Sequence, residues 1–416
     1  MMSNYISLFY AENFRQFSKV TVKFKKGFNI LTGPNGCGKT SILMGIAYCF
    51  NSNDFSHTRF NNDSCFWVDW NHDESIIRTG LGKNSFPNQA TYRNSQPNMY
   101  NPPANDLYLN ENLNTYQFKN KYFSDFPLYI GISREIKYVQ INGMQREGDP
   151  REQQESISNS NLNSGYNKVS IKQWLINRYF IIEKDWAAEY KENWLHLQES
   201  LPLIAPFNSD FKYTNTKADL EPMFSLYGKE CYLEELSAGF QAIFSIIINI
   251  IQWIEAKQPE GHRSIKEASG TVLIDELDLH LHPEWQLSLR KGLTTIFPNL
   301  QFIVTTHSPH LLASAESNEI IIMQRIEEIE EYYFEPTKKK FSGWNTDQIL
   351  EDVMGVESLQ NKDYASLINT ILNAYDEKNL EAFKSNLNLL EEISHKNDSI
   401  LQVFKIKLAS LELEND

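Results

Sequence analysis

The segment 30–41, ILTGPNGCGKTS, contains the residue types best suited to holding phosphate groups. It matches the pattern G-x-x-x-x-G-K-[ST], in which glycines let consecutive backbone N–H groups turn inward around a phosphate. Lys39 can then neutralise phosphate oxygen atoms, and the Thr40 hydroxyl can ligate Mg²⁺. The predicted nucleotide-binding residues are Gly33, Pro34, Asn35, Gly36, Cys37, Gly38, Lys39, Thr40 and Ser41.

Two further segments place polar residues directly after apolar runs. In VLIDELD, Asp275 is predicted to hold Mg²⁺ together with Thr40, and Glu276 to polarise an attacking water. In VTTHSP, His307 is predicted to bind the terminal phosphate or to orient Glu276. Glu276, His307 and Lys39 are therefore the predicted catalytic residues.

The surrounding sequence predicts an α/β fold that gathers these residues at one edge of a sheet. The run FNILTG reads as a strand before the glycine loop, and TSILMGIAYCF as the helix after it. Ligands collect at the carboxyl ends of parallel strands, which is where all three segments would lie. We expect a mostly parallel core sheet, an antiparallel side sheet from about residue 51 to 125, and a helical insertion at about 169–230.

A fourth motif, ELSAGFQA at 235–242, indicates the class of nucleotide-binding protein. It precedes an apolar helix whose N-terminus favours an anion, and it resembles the LSGGQ signature of the ATP-binding cassette family. In that family the signature turn of one subunit closes on ATP bound to the other. The resemblance implies a head-to-head dimer in which Ser237 and Gly239 contact the partner's nucleotide, although Ala238 and Phe240 depart from the family pattern.

The resemblance extends to the SMC, RecF and OLD-like branch of that family through the opening FYAENFRQFSKVTVKF. It implies that Arg15 lies near the nucleotide and that Asp278 links the two sites of the dimer. The chain departs from the branch in that its phosphate-sensing glutamine is not evident, and Gln140, after REIKYV, is the candidate for this position near the metal. The insertion that forms a long coiled coil in SMC proteins is absent. What remains is similar to compact bacterial anti-phage ATPases of the Septu type, which implies an HNH-type nuclease partner and a trimer of dimers.

Two alternatives share the same fold. One is a DNA-repair or DNA-sensing ATPase of the RecF and SMC kind, and the other is a scaffold locked by ATP with little hydrolysis. The net charge of −14 disfavours broad contact with nucleic acid, which leaves only a local basic patch for that purpose. The lysines that could form such a patch are Lys19, Lys23, Lys25, Lys26, Lys338, Lys339 and Lys340.

Composition favours a cytoplasmic protein without a membrane span. No run of about 18 apolar residues occurs, and AIFSIIINIIQWI at 242–254 reads as a buried helix. The start of the chain lacks the pattern of a signal peptide, and the four cysteines show no metal or disulfide spacing.

The chain is predicted to divide into an ATPase head at 1–336 and a C-terminal helical segment at 337–416. The helical segment is either a surface for a partner or for oligomer contacts, or a plain packing extension of the head. The sequence leaves these two interpretations open.

Overall fold

The computed structural model describes residues 4–50, 55, 58–88, 95–122, 125–147, 170–205, 209–258, 261–324, 331–356, 362–395 and 398–415. The chain forms two compact units, Met1–Gly355 and Val356–Asp416. The composition change that defines the predicted boundary lies earlier, at 336/337.

The elements are numbered in chain order. The strands are β1 (Asn4–Phe14), β2 (Phe17–Lys23), β3 (Phe28–Thr32), β4 (Cys65–His72), β5 (Ser75–Leu81), β6 (Glu111–Asn114), β7 (Leu128–Ile130), β8 (Lys212–Thr216), β9 (Pro222–Leu226), β10 (Lys229–Tyr232), β11 (Gly270–Ile274), β12 (Leu300–Thr305), β13 (Ile320–Ile322) and β14 (Tyr332–Phe334). The helices are α1 (Lys39–Phe50), α2 (Thr115–Lys121), α3 (Ile171–Ile181), α4 (Ala188–Ile204), α5 (Ala238–Lys257), α6 (Pro283–Ile296), α7 (Pro309–Ser314), α8 (Thr346–Asp352), α9 (Lys362–Asp376), α10 (Leu380–Ile393) and α11 (Ser399–Asn415).

The core of the first unit is a five-stranded sheet in the order β13-β3-β12-β11-β7, and each of its pairings is parallel. Strands β3, β7, β11 and β12 are buried along their whole length and are mainly apolar, because both faces of the sheet are covered. Ile30, Val272 and Val304 point to the cluster around α5, whereas Leu31 and Leu273 point to the cluster around α1. The predicted parallel core is confirmed.

A second sheet of six strands packs on the α1 side in the order β14-β2-β1-β4-β5-β6. Its central pairings are antiparallel, and its outer pairs β14–β2 and β5–β6 are parallel. This is the predicted antiparallel side sheet, and it begins at β1 rather than at residue 51 because the opening of the chain pairs with β4.

The apolar helix α5 is buried, as the sequence predicts. By length and composition alone it could cross a membrane, but 83% of its apolar window is buried inside the protein. Its Trp253 is fully buried and donates its indole N–H to the carbonyl of Phe126 at 3.2 Å. This contact anchors the helix beside β7.

The predicted helical insertion at about 169–230 is only partly helical. After α3 and α4 the chain forms an antiparallel sheet in the order β10-β9-β8. Tyr227 and Gly228 join β9 to β10 with φ angles of 51° and 73°, the left-handed pair typical of a tight hairpin turn. Phe224 on β9 packs against Phe244 of α5, so burial of one strand face decides the conformation.

The second unit contains α9, α10 and α11 and has a hydrophobic core of its own. Its buried residues include Ile371, Phe383, Leu390 and Phe404. The rings of Phe383 and Phe404 pack edge to face, with their centroids 6.2 Å apart. The predicted C-terminal helices are therefore present.

The outer face of the side sheet contains a buried ion pair. Arg78 and Asp69 are 2.6 Å apart, with side chains 3% and 4% exposed. We predict that Arg78→Met lowers the free energy of unfolding by about 3 kcal/mol, because the Asp69 charge would stay buried without its partner. Urea unfolding measures this. Lys83→Met, which removes the exposed partner of Glu12, should cost less than about 1 kcal/mol, and equal losses would contradict the assignment.

Candidate nucleotide-binding site

Lys39 lies at the first position of α1, where the glycine loop ends. Its ammonium group donates to the backbone carbonyls of Gly33 at 2.9 Å and Pro34 at 3.0 Å. The side chain is 6% exposed, and burial lowers its pKa from the ordinary value for lysine. The cation is thus fixed inside the loop by carbonyl groups, with no protein carboxylate hydrogen-bonded to it among the described residues.

The loop fits a phosphate group. The backbone N–H groups of Gly36, Gly38 and Thr40 have no backbone acceptor within the described ranges. Gly36 and Gly38 have φ angles of 79° and 97°, which turn the chain around the start of α1. Unpaired N–H groups at a helix N-terminus attract anions, so this cradle can hold the phosphates of a nucleotide.

The turn between β1 and β2 supports the loop from behind. Ser41 donates its hydroxyl to Gln16 Oε1 at 3.0 Å. A Cβ atom at Gly38 would lie 2.4 Å from Cζ of the buried Phe17 ring, and φ is 97°, so the loop needs glycine there. The sequence analysis did not single out Gln16, but it did single out the neighbouring Arg15. Arg15 is exposed on the same turn, with its Nε 3.4 Å from the Thr58 hydroxyl. Its contact with the nucleotide stays a prediction.

Oxygen atoms converge next to the loop in an arrangement suited to Mg²⁺. The Thr40 hydroxyl lies 3.0 and 3.1 Å from the two carboxylate oxygens of Asp275. Thr305 also donates its hydroxyl to Asp275, at 2.7 Å. Hydroxyl and carboxylate oxygens are the ligands Mg²⁺ prefers, so Thr40 and Asp275 could hold the ion. The role of Thr305 was missed by sequence reasoning.

Glu276 follows with an unusual backbone conformation, φ 48°. Its N–H donates to the Thr305 hydroxyl at 2.7 Å, and its carbonyl accepts from Arg134 at 3.1 Å. Within the described part of the chain, no hydrogen bond engages its carboxylate. The backbone of Glu276 is held on both sides while its carboxylate stays available to bind water.

Asp278 and His307 are joined within one copy of the chain. Asp278 Oδ1 accepts from the Thr306 hydroxyl and from the backbone N–H of His307 at 3.3 Å. Partial burial and the positive charge of Lys39 lower the pKa of His307, while Asp278 and Glu276 oppose the shift. The structure therefore brings His307 into electrostatic contact with Lys39 and the two acidic residues.

Ser237 is the N-cap residue of α5, is exposed, and makes no capping hydrogen bond. A Cβ at Gly239 would lie 3.1 Å from the carbonyl of His280, so the signature turn packs closely on the loop that follows Asp278. Among the described residues, no hydrogen bond links Ser237 to the Lys39 loop. Gln140 is also exposed and is not hydrogen-bonded to Thr40 or Asp275; its predicted role stays untested.

Fold and site together define a P-loop NTPase of the ATP-binding cassette type. The phosphate loop follows β3 and the acidic residues follow β11 of one parallel sheet, which is flanked by a side sheet, and the signature turn begins α5. The chain belongs to the family whose model is described as "AAA domain, putative AbiEii toxin, Type IV TA system", which matches residues 28–313.

Individual relatives are more distant. The chain is 26% identical to the Septu protein PtuA of Bacillus thuringiensis over 407 residues, covering 94% of each chain. It is 25% identical to the Retron Vc95 probable ATPase of Vibrio cholerae, covering 76% of this chain and 72% of that protein. An SMC head domain from Thermotoga maritima aligns with 80% of this chain and 99% of its own, at 13% identity and a TM-score of 0.40.

Close packing at Gly33 generates a stability prediction. A Cβ at this position would lie 2.2 Å from the Met323 carbonyl, whereas a Cβ at Gly36 would meet nothing within 4 Å. Both have positive φ, so Gly36→Ala should cost about 1 kcal/mol from strain alone, and Gly33→Ala about 2 to 4 kcal/mol because backbone must also shift. Thermal and urea unfolding compare the two variants, and similar losses would contradict this packing.

The environment of His307 predicts a titration. Its lowered pKa keeps the imidazole neutral at pH 7, with a protonation midpoint below the usual 6.5. In Lys39→Ala the midpoint should rise toward 6.5, because removing a nearby cation makes the imidazolium less unfavourable. Histidine-ring NMR, assigned with His307→Asn, measures the midpoint. Lys338→Ala is the control, since that lysine does not act on His307; a midpoint unmoved by Lys39→Ala would refute the coupling.

Proposed function

We propose that the protein binds and hydrolyses ATP. The observation that carries this proposal is the convergence of Lys39, Thr40, Asp275, Glu276 and His307 at the carboxyl edge of one parallel sheet. Each group has the chemistry of one part of phosphoryl transfer. Family membership supports an ATPase, and hydrolysis is the part that experiment must test.

Each residue has a defined task in this proposal. Lys39 and the loop N–H groups bind the phosphates, and Thr40 and Asp275 would hold Mg²⁺, which neutralises charge on the phosphate oxygens. The Glu276 carboxylate, which accepts no hydrogen bond from the residues that the structure describes, orients the attacking water. His307, neutral at pH 7 because its pKa is lowered, can donate an imidazole N–H to the terminal phosphate.

We further propose that two copies close head to head around two ATP molecules. Ser237 supports this because its hydroxyl is exposed and uncapped at the N-terminus of α5, which provides an anion site that the chain itself leaves unused in the described residues. Contacts that depend on the terminal phosphate select the closed dimer, and hydrolysis releases it. A trimer of such dimers is a larger assembly that we also propose from the resemblance to Septu ATPases.

The biological output that we propose is regulation of a separate HNH-type nuclease in bacterial anti-phage defence. Similarity along 94% of the chain to a Septu protein and along 76% to a retron ATPase supports it.

The DNA-binding alternative has less structural support. Lys19 forms an ion pair with Glu331 at 2.8 Å, and Lys25 approaches Glu319 at 3.9 Å. Paired lysines contribute less to the counterion release that drives binding to a phosphate backbone. Nucleic acid therefore remains a secondary candidate for the partner.

Glu276→Gln tests the proposed chemistry. The amide keeps the shape of the side chain but cannot take a proton from water, so turnover should fall about 100-fold or more while ATP binding persists. Phosphate release and binding of a fluorescent ATP analogue measure the two properties. Turnover equal to that of the wild type would remove Glu276 from its assigned role.

The same variant tests dimer closure. Light scattering with ATP should show the mass of Glu276→Gln doubling, because the triphosphate is retained. Adding Ser237→Arg should prevent the doubling without loss of ATP binding, since that residue acts on the partner's nucleotide. Lys39→Ala, which removes the phosphate contact, should stay monomeric with ATP. Doubling in Ser237→Arg would overturn the assignment in trans.

A further inference from the structure

Arg134, in the segment GISREI after β7, is a buried cation that contacts backbone carbonyls. It is 3% exposed, and its guanidinium donates to Gly131 at 3.0 Å, to Glu276 at 3.1 Å and to the carbonyl of Asp275. No carboxylate of the described residues lies within ion-pair distance of it. Its contacts are therefore those of a group that holds the backbone in place.

Burying a charged group costs free energy unless hydrogen bonds and nearby opposite charges compensate for the lost water. Burial lowers the pKa of Arg134 to about 10, and the charges of Asp275, Asp278 and Glu276 oppose this shift. The side chain thus stays protonated at neutral pH. A planar guanidinium presents several donors in a rigid fork, which a lysine ammonium cannot reproduce. Three carbonyls arranged around one side chain match that fork.

The position of these carbonyls explains what Arg134 holds. Strands β7 and β11 pair as far as Ile130 and Ile274, and the Asp275 N–H still bonds to the Ile130 carbonyl at 3.0 Å. Beyond that bond the ladder ends, and Glu276 adopts its positive φ of 48°. Such a conformation is unfavourable for a residue with a side chain and persists only when its surroundings enforce it. Arg134 holds the carbonyl of Glu276 and Thr305 holds its N–H, and together these bonds stabilise the conformation.

Hydrogen bonds through Gln241 connect the segment that contains Arg134 to the signature turn. The N–H of Ile136 donates to Gln241 Oε1 at 3.1 Å, and Gln241 Nε2 donates to the carbonyl of Leu236 at 2.9 Å. Leu236 immediately precedes Ser237. One short stretch, residues 131–136, therefore contacts the acidic strand end directly and, through Gln241, the turn proposed to reach the other copy.

We infer that Arg134 is a positioning residue for the proposed hydrolysis: it fixes the peptide of Glu276, and thereby the direction of its carboxylate, without touching the nucleotide. The inference rests on the proposed function, because it assigns Arg134 to the same reaction. The same contact should hold the backbone of residues 275–278 whether or not ATP is present, and this gives a test independent of turnover.

The kinetic test uses Arg134→Met in the full chain. A small displacement of the reacting group should lower kcat about 10- to 100-fold, with KM and the affinity for a fluorescent ATP analogue changed less than about threefold. Arg134→Lys should recover little of the loss, since a single ammonium cannot span three carbonyls. In a Glu276→Gln background, Arg134→Met should change single-turnover hydrolysis by less than about threefold, because the two changes remove one function.

Hydrogen exchange supplies the second test. In Arg134→Met, amides in 275–278 should exchange about tenfold faster than in the wild type without nucleotide. Arg78→Met is the matched control, since it also removes a buried arginine but one that contacts Asp69 and not the site; it should leave both kcat and exchange at 275–278 unchanged in the folded protein.

The outcomes separate the two proposals. A wild-type protein without ATPase activity would defeat the proposed hydrolysis, while exchange at 275–278 would still report whether Arg134 holds that segment. Wild-type kcat in Arg134→Met, equal losses of kcat in Arg134→Met and Arg78→Met, or unchanged exchange at 275–278 would each overturn the inference.

Discussion

The hydrogen bonds to the Asp275 carboxylate hold the site together. Thr40 reaches it from the first turn of α1, after β3 and the glycine loop, and Thr305 reaches it from the end of β12, which lies between β3 and β11 in the sheet. Three adjacent strand ends are thereby connected through one buried side chain. Because the Thr305 hydroxyl also accepts from the Glu276 N–H, the backbone position of Glu276, the proposed water-orienting residue, depends on the same bonds. Losing them would disconnect Glu276 from the phosphate loop.

This arrangement rests on a sheet that is covered on both faces. The apolar strands and the buried body of α5 leave little freedom at the carboxyl edge, so the groups that act within one copy are preorganised. Ser237 differs, since it is exposed at the end of α5 that emerges from the core. If a second copy completes the site, we expect the residues that act within one copy to be rigid and the residue that acts on the partner's nucleotide to be exposed.

The sequence predicts the parts of this site that are contiguous. Eight residues with a fixed pattern specify the phosphate loop, and an apolar strand followed by two acids specifies Asp275 and Glu276. Thr305, Gln16 and Arg134 escape prediction because each is a single polar residue whose partner lies far away in the chain, so its meaning exists only after folding. Strands β8 to β10 were missed because they are short and half exposed, although the Tyr227–Gly228 turn offered a signal.

Asp278, which we expect to link the two sites of the proposed dimer, already has contacts within one copy of the chain. Its Oδ1 accepts from Thr306 and from the His307 N–H, which fixes the loop before α6 against the histidine. Within the described residues its Oδ2 accepts no hydrogen bond, and in the proposed dimer that oxygen could accept one from the second copy. A donor that binds Asp278 Oδ2 would therefore bind the same carboxylate that accepts from the backbone N–H of His307. Closure of a dimer would in this way act directly on the histidine next to Lys39, and the free monomer would hold the same histidine through Oδ1 alone.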